Sequence, residues 1–483
     1  MLPLPVSSSP SATKYRKCYL YAQMVCHSSS LGASQIWTVI ASVLPEPEYQ
    51  GGQRSKEVFP RFQRKDRGIL ASRKCSQRLR HCSLWGSDKT YRVRVQFHRP
   101  PQASAIDFCR LSITEWKPVT GSLPPSNAAD WDVEFTKYRA SPESKLLNPH
   151  MTLEEFKKIY YMEWGHRLWG RLVGVSFLLP AMYFIARRKV SAPMATKIIG
   201  IAGLIGFQGV LGWWMVKSGL KDDLFAPGSH PRVSQYRLTA HLGTAFLCYT
   251  AMLWNGLSIL RTYKLLHNAE VGDAIIRRLR DPNLKIFRRS VGALAVLVFC
   301  TAMSGGLVAG LDAGLIYNEF PKMGIGLAPP RSELFSEFYS HKPDRSDIWW
   351  RNPLENPSLV QLDHRILATT TFTSVLGLWA YTKLSPTLKK ALPIAARKGM
   401  HGVVGFVCLQ VILGISTLIY LVPLPLASAH QAGSLALLSS VIVLGSRTWI
   451  PRRASRLLAQ RLAKARSPPS VQPIQLRGWK TTL

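Results

Sequence analysis

The chain has 483 residues, with 62 Lys+Arg against 27 Asp+Glu and a formal net charge of +35. Its mean hydropathy of +0.02 averages a polar, basic N-terminal stretch with a remainder in which long apolar runs alternate with charged loops. That pattern excludes a single water-soluble core and indicates an integral membrane protein.

Residues 1–100 carry 17 Lys+Arg against 5 Asp+Glu and many serines. This is the composition of a mitochondrial transit peptide; it equally suits a basic tail, or untranslated sequence carried into the reading frame. Nucleic-acid binding is the other reading of so much positive charge. It is set aside because the remaining basic residues lie mainly in membrane-flanking loops. Five cysteines (Cys18, Cys26, Cys75, Cys82, Cys109) fall within residues 1–110 and leave a disulfide open, while Cys248, Cys300 and Cys408 fall in apolar runs, where a thiol packs as a small hydrophobe. The eight show no CxxC and no metal-type spacing.

Seven apolar runs follow, at about 168–186, 198–216, 239–260, 291–311, 366–381, 402–422 and 429–444, each near the ~20 residues that a bilayer requires. Loop charge alternates between them. Residues 187–197, 261–289, 383–398 and the tail after Arg447 are basic; 217–237 is mixed, 312–363 is net acidic and the turn 423–426 is uncharged. The positive-inside rule places the basic loops and the C-terminus on one side.

Four histidines, His166, His241, His364 and His430, open the first, third, fifth and seventh runs, all at the non-basic face. Other features repeat with them. EWGHR (163–167) parallels QLDHR (361–365), QGVLG (208–212) parallels QVILG (410–414), and AHLG (240–243) parallels AHQAG (429–433). This reads as an internal duplication in one orientation. The fold class is therefore an all-α membrane protein of two pseudo-symmetric four-helix bundles, an eight-helix design. Its parts are an N-terminal extension (1–110), a first bundle (111–261), a basic loop (262–290), a second bundle (291–447) and a basic tail (448–483). The second half has an apolar run before its first histidine helix, leading into LDAGLIYNEFP (311–321). The first half has only the related piece LSITEWKP (111–118), so its first helix is missing or replaced; 36–44 is too short to span.

Imidazoles from facing helices, at one depth in a bundle, make a bis-histidine haem site. Two halves make two sites, His166 with His241 and His364 with His430. A lone histidine at a helix start is more often a cap or an interfacial residue, but four at equivalent repeat positions favour ligands. Zinc lacks a cysteine or carboxylate set to complete a tetrahedron. His230, His267, His341 and His401 read as structural or surface residues. Arg167 and Arg365 follow the ligands directly and suit a haem propionate, or else snorkel to headgroups. Glu163 stands one turn before His166, where the second half has Gln361. That asymmetry suggests that one site does chemistry while the other holds a permanent cofactor.

These motifs, with RVSQYRLTAHLG (232–243), AGLDAGLIYNEFPKMG (309–324), DHRIL (363–367) and HQAGSLALL (430–438), closely resemble the haem A synthases of mitochondria and aerobic bacteria, over about 110–447. The resemblance implies an inner-membrane enzyme that oxidises the C8 methyl of haem O to a formyl group, making haem A for cytochrome c oxidase. It implies haem b held by His364 and His430, substrate haem O engaged by His166 and His241, and Glu163 beside the reacting methyl. It further implies a ferredoxin-type electron donor, and it leaves open contact with haem O synthase and oxidase assembly factors and a homo-oligomer. The haem sites would face the intermembrane space and the C-terminus the matrix. An electron-transfer cytochrome with two haems, or a haem carrier, would use the same histidines without Glu163.

Overall fold

A computed structural model describes residues 112–115, 117, 123–219 and 233–466. The proposed transit peptide, the 36–44 segment and the five N-terminal cysteines lie outside the described residues, as do His230 and the end of the tail. The described chain is helical apart from loops and one isolated bridge, Met323 to Gly326.

The principal helices are α1 (Ala128–Arg139), α2 (Pro142–Leu147), α3 (Leu153–Ala186), α4 (Ala192–Gly219), α5 (Gln235–His267), α6 (Ala269–Leu279), α7 (Leu284–Gly310), α8 (Pro357–Leu384), α9 (Ile394–Ile419), α10 (Leu424–Thr448) and α11 (Arg452–Arg466). Six helices among the described residues are long and apolar enough to cross a membrane: α3, α4, α5, α7, α9 and α10. The run expected at 366–381 lies within α8, a helix of 28 residues, yet α8 is not among the six. Asp363, Arg365 and the threonines 369–371 and 373 lower its hydropathy. Its threonine hydroxyls donate back to the carbonyl one turn earlier, as from Thr369 to Arg365 and from Thr370 to Ile366.

The first span is longer than its apolar run. α3 opens with a reciprocal capping box in which Thr152 and Glu155 satisfy each other's backbone N–H groups. Its 34 residues extend roughly 50 Å, against about 30 Å of hydrocarbon. The additional turns carry an aromatic face. Phe156, Ile159 and Tyr160 bury themselves against Trp131, Phe135 and Tyr138 of α1 and against Ile113, with Trp131 and Tyr160 ring centroids 5.0 Å apart. His166 therefore sits well inside a helix, not at its start, and the other three histidines are likewise one to two turns in.

The main core is the second half, where α7 packs against α5, α8 and α10, and α9 pairs with α10. Phe287, Val291, Leu294 and Val298 of α7 meet Val375, Met400, Val403, Leu437 and Val441 in it. Gly306 and Gly310 set the α5–α7 approach. A Cβ on Gly310 would stand 2.7 Å from Gln235 Cα, and one on Gly306 would stand 3.1 Å from Thr239 Oγ1. The spacing is that of small-residue membrane packing, in which backbones touch. On the other side Phe177, Ala181, Ile198, Ile201 and Cys248 join α3, α4 and α5.

The close contact at Gly310 predicts that Gly310→Val forces α5 off α7 and costs about 1–3 kcal/mol. Gly292→Ala, on the same helix with open space around it, is expected to be neutral or better. Thermal unfolding in detergent compares them; equal melting temperatures would contradict the packing described.

Candidate haem sites

The four histidines come together as two pairs. His166 of α3 faces His241 of α5 with ring centroids 6.5 Å apart and planes at 73°. His364 of α8 faces His430 of α10, also at 6.5 Å, with planes at 88°. A metal–imidazole bond is roughly 2 Å and the ring centroid lies about 1 Å behind its nitrogen, so two imidazoles bracketing one metal stand about 6 Å apart. Both pairs meet that spacing. Among the described residues no cluster of three or more His, Cys, Asp and Glu could hold a bare metal ion. A planar macrocycle that brings its own equatorial nitrogens needs only the two axial ligands that each pair offers. The residues present therefore fit a haem in each pair.

The helices hold these rings by repeated devices. Gln208 of α4 donates to the backbone carbonyl of His241 at 2.9 Å, and Gln410 of α9 donates to that of His430 at 2.8 Å. Glycines give the second pair room. A Cβ on Gly414 would stand 2.8 Å from His430 Cε1, and one on Gly305 would stand 3.2 Å from His364 Cε1. His364 Nδ1 lies 2.8 Å from Ser304 Oγ. Nδ1 of His241 and of His430 is buried with no hydrogen-bond partner among the described residues. His166 is the most open of the four.

The arginines turn inward to the chain. Arg167 donates to the carbonyls of Ile113 (2.9 Å) and Glu115 (3.1 Å). Arg365 donates to those of Tyr317 (3.0 Å) and Glu319 (2.9 Å), and also to Lys322 (3.0 Å). Each arginine thus clasps alternate carbonyls of the segment that precedes its helix, at the matching places in SITE (112–115) and IYNE (316–319). Arg365 Nε remains buried without a partner among the described residues.

Glu163 and Gln361 clasp the same two segments with opposite polarity. Glu163 Oε2 accepts from the N–H of Ser112 (2.8 Å) and of Ile113 (3.0 Å) and from Ser112 Oγ (2.6 Å); its Oε1 pairs with Arg167 at 2.6 Å. Gln361 instead donates Nε2 to the Tyr317 carbonyl at 3.0 Å. Tyr317 is held at its other end by Glu333, and burial with that hydrogen bond pushes its hydroxyl up to about 12. In the first segment Glu115 pairs with Lys117 and Lys137, whose hydrogen bonds hold its carboxyl below the usual range. A cleft of about 380 Å³ opens beside this segment, lined by Ile113, Glu115, Lys137, Tyr160, Arg167 and Arg171 among others.

Two other described histidines belong to neither pair. His401 is exposed with Nδ1 at 2.9 Å from the Arg397 carbonyl, and the His341 ring lies 3.9 Å from Glu355 while its backbone N–H donates to Asp347. The sequence gives Ser304 and Gly305 no role, and marks Gly414 only as the end of the QVILG repeat. The SGG run at 304–306, a polar and two small residues inside an apolar helix, is the signal that marks a close packing face.

Comparison with known proteins gives the family. The family model of the cytochrome oxidase assembly proteins, COX15-CtaA, matches residues 110–442. The chain is 52% identical over 347 residues to Heme A synthase COX15 of Saccharomyces cerevisiae, covering 72% of this chain and 71% of that protein. It is 44% identical over 336 residues to the human Heme A synthase COX15, covering 69% of this chain and 74% of that one. It is 47% identical over 343 residues to the Heme A synthase-mitochondrial ferredoxin fusion protein of Schizosaccharomyces pombe, covering 70% of this chain and 55% of that one. This chain belongs to the COX15-CtaA family of cytochrome oxidase assembly proteins, the family of the haem A synthases.

Proposed function

We propose that the protein is a haem A synthase of the mitochondrial inner membrane, an oxidoreductase that converts the C8 methyl of haem O to the formyl group of haem A. The carrying observation is that two histidine pairs, each at one-metal spacing, stand in a chain whose relatives bear that name. In this reading α8 also spans the membrane, as the fifth of seven spans in chain order, and two pseudo-symmetric bundles (111–261 and 291–447) are joined by the basic segment 262–290. The histidines face the intermembrane space. The basic loops and α11 face the matrix, as the positive-inside rule requires.

His364 and His430 are assigned to resident haem b, and His166 with His241 to the substrate haem O. The more open placement of His166 suits a ligand that must come and go, and the glycine-backed rings of the second pair suit one that stays. When bound, haem b supplies a one-electron relay for the methyl oxidation. Glu163 is the residue in place for the chemistry: it lies one turn from His166, on the same face, and carries charge where its counterpart Gln361 carries none. Held by Ser112, Ile113 and Arg167, the carboxylate is preorganised to stabilise positive charge developing at the reacting carbon. Arg167 and Arg365 hold the segments that precede the histidine helices, and beside each ligand they would be the charge partners of a haem propionate. The ferredoxin fused to the fission yeast relative points to a ferredoxin-type donor, and the basic loops suit an acidic partner.

Incubation of the purified membrane protein with haem O and a reductant, followed by pigment extraction, tests the reading: a synthase returns hydroxylated or formylated haem, whereas an electron-transfer cytochrome or a carrier returns haem O unchanged. Ligand removal is expected to act unequally. His364→Ala or His430→Ala should abolish the tightly bound haem b spectrum, while His166→Ala or His241→Ala should leave it and reduce turnover. Loss of one and the same spectral component from all four variants would refute the division of labour. Glu163→Gln copies the residue already present at 361 and preserves size. It is expected to retain both haem sites and to slow haem A formation on the order of 10²–10⁴-fold; formation at the unaltered rate would return Glu163 to a purely structural part.

A further inference from the structure

The second histidine pair is not symmetric in its hydrogen bonding. His364 Nδ1 lies 2.8 Å from Ser304 Oγ, whereas His430 Nδ1 is buried and has no partner among the described residues. Ser304 makes one other hydrogen bond, from Oγ to the carbonyl of Thr301 one turn earlier on α7, at 2.8 Å. One arrangement of protons satisfies both contacts at once. A serine hydroxyl has one proton to give, and a carbonyl can only accept. In that arrangement the Ser304 proton goes to Thr301, and the contact with His364 is made by an Nδ1–H that donates to Oγ; the Thr301 carbonyl, which can only accept, also lies in reach of the His364 ring. A neutral imidazole protonated at Nδ1 has its lone pair at Nε2.

We infer that Ser304 is a positioning residue that locks His364 in the Nδ1–H tautomer and makes it the stronger electron donor of the two axial ligands. The inference rests on the assignment of haem b to His364 and His430. The chain N–H to O–H to carbonyl runs in one direction, so each bond polarises the next, and donation from the far ring nitrogen raises the basicity of the ligating one. A more basic ligand favours ferric over ferrous iron and lowers the midpoint potential of the haem. The site is built to keep this geometry. Gly305 presses against His364 Cε1, and Thr301 Oγ1 meets Thr371 Oγ1 at 2.8 Å, so α7 and α8 are pinned on both sides of the Ser304 contact. His430 has no such partner, and its ring is fixed through its backbone by Gln410 and by contact with Gly414.

The test uses the full chain, purified with its haem in detergent or nanodiscs, as Ser304→Ala, Ser304→Thr and His364→Ala. The readouts are thermal stability, the haem b midpoint potential, the low-spin electron paramagnetic resonance g values, and haem retention against a competing apo-protein. Ser304→Ala is expected to fold, to raise the midpoint potential, to shift the g values, and to lose haem roughly tenfold or more faster. Ser304→Thr restores the hydroxyl and is expected to return all three haem readouts toward those of the unaltered protein. Potential and g values unchanged in Ser304→Ala, with haem lost from His364→Ala, would overturn the role of Ser304 while sparing the ligand assignment. Haem b retained in His364→Ala would overturn the ligand assignment and the role of Ser304 with it.

Discussion

Two imidazoles held one metal's width apart, on helices that would otherwise approach no closer than their side chains allow, are the constraint from which the rest of the architecture follows. A centroid spacing of 6.5 Å in each pair requires neighbouring helices to set their registers within a fraction of a turn. In the second half this is done by removing side chains. Gly306 and Gly310 let α7 reach α5, while Gly305 and Gly414 give the rings of His364 and His430 a place against helix backbone. Polar groups inside the bundle then fix rotation, with Thr301 on Thr371 and Gln410 on the His430 carbonyl. In a bilayer such contacts supply specificity that apolar packing alone does not, because lipid tails compete equally for apolar surface.

Outside the membrane the same economy appears in the segments that precede the histidine helices. Each is short and irregular, and each would leave backbone polar groups unpaired near the apolar phase. An arginine directly after the histidine donates to alternate carbonyls of its segment. The residue three places before the histidine completes the clasp, accepting N–H groups as Glu163 in the first half and donating to a carbonyl as Gln361 in the second. One exchange, of a carboxylate for an amide, therefore changes both the charge beside the ring and the way the segment is held. In the proposed enzyme a structural clasp in one half and a chemical group in the other occupy equivalent positions.

The membrane character, most span positions and the pairing of the four histidines were legible in hydropathy and in the repeated motifs, because hydropathy reports on burial and each motif carries its histidine at the same place beside an apolar run. Helix extent was not. The aromatic turns of α3 before His166 read as loop by hydropathy, although TLEE at 152–155 announces the start of a helix by its capping box. α8 reads as a span from its apolar residues, yet threonines and Asp363 keep it below the hydropathy of the other six helices; threonine is tolerated there because its hydroxyl returns to the helix backbone. The arginine–carbonyl contacts could not be read, since a guanidinium beside a haem ligand has the same one-dimensional signature whether it meets a propionate or a peptide. Ser304 was hidden for a related reason: a serine in an apolar helix gives no sign of its partner until the facing helix is in register.

The central claim is that each histidine pair brackets one haem. It is tested most directly by an electron cryo-microscopy structure of the full chain in nanodiscs, purified with its haem and supplied with haem O. The account predicts a planar haem between His364 and His430 and a second between His166 and His241, each iron within bonding distance of both Nε2 atoms, with Glu163 on the side of the second haem that carries the C8 methyl. A haem ligated by any other residue, or a single haem shared between the two pairs, would contradict it.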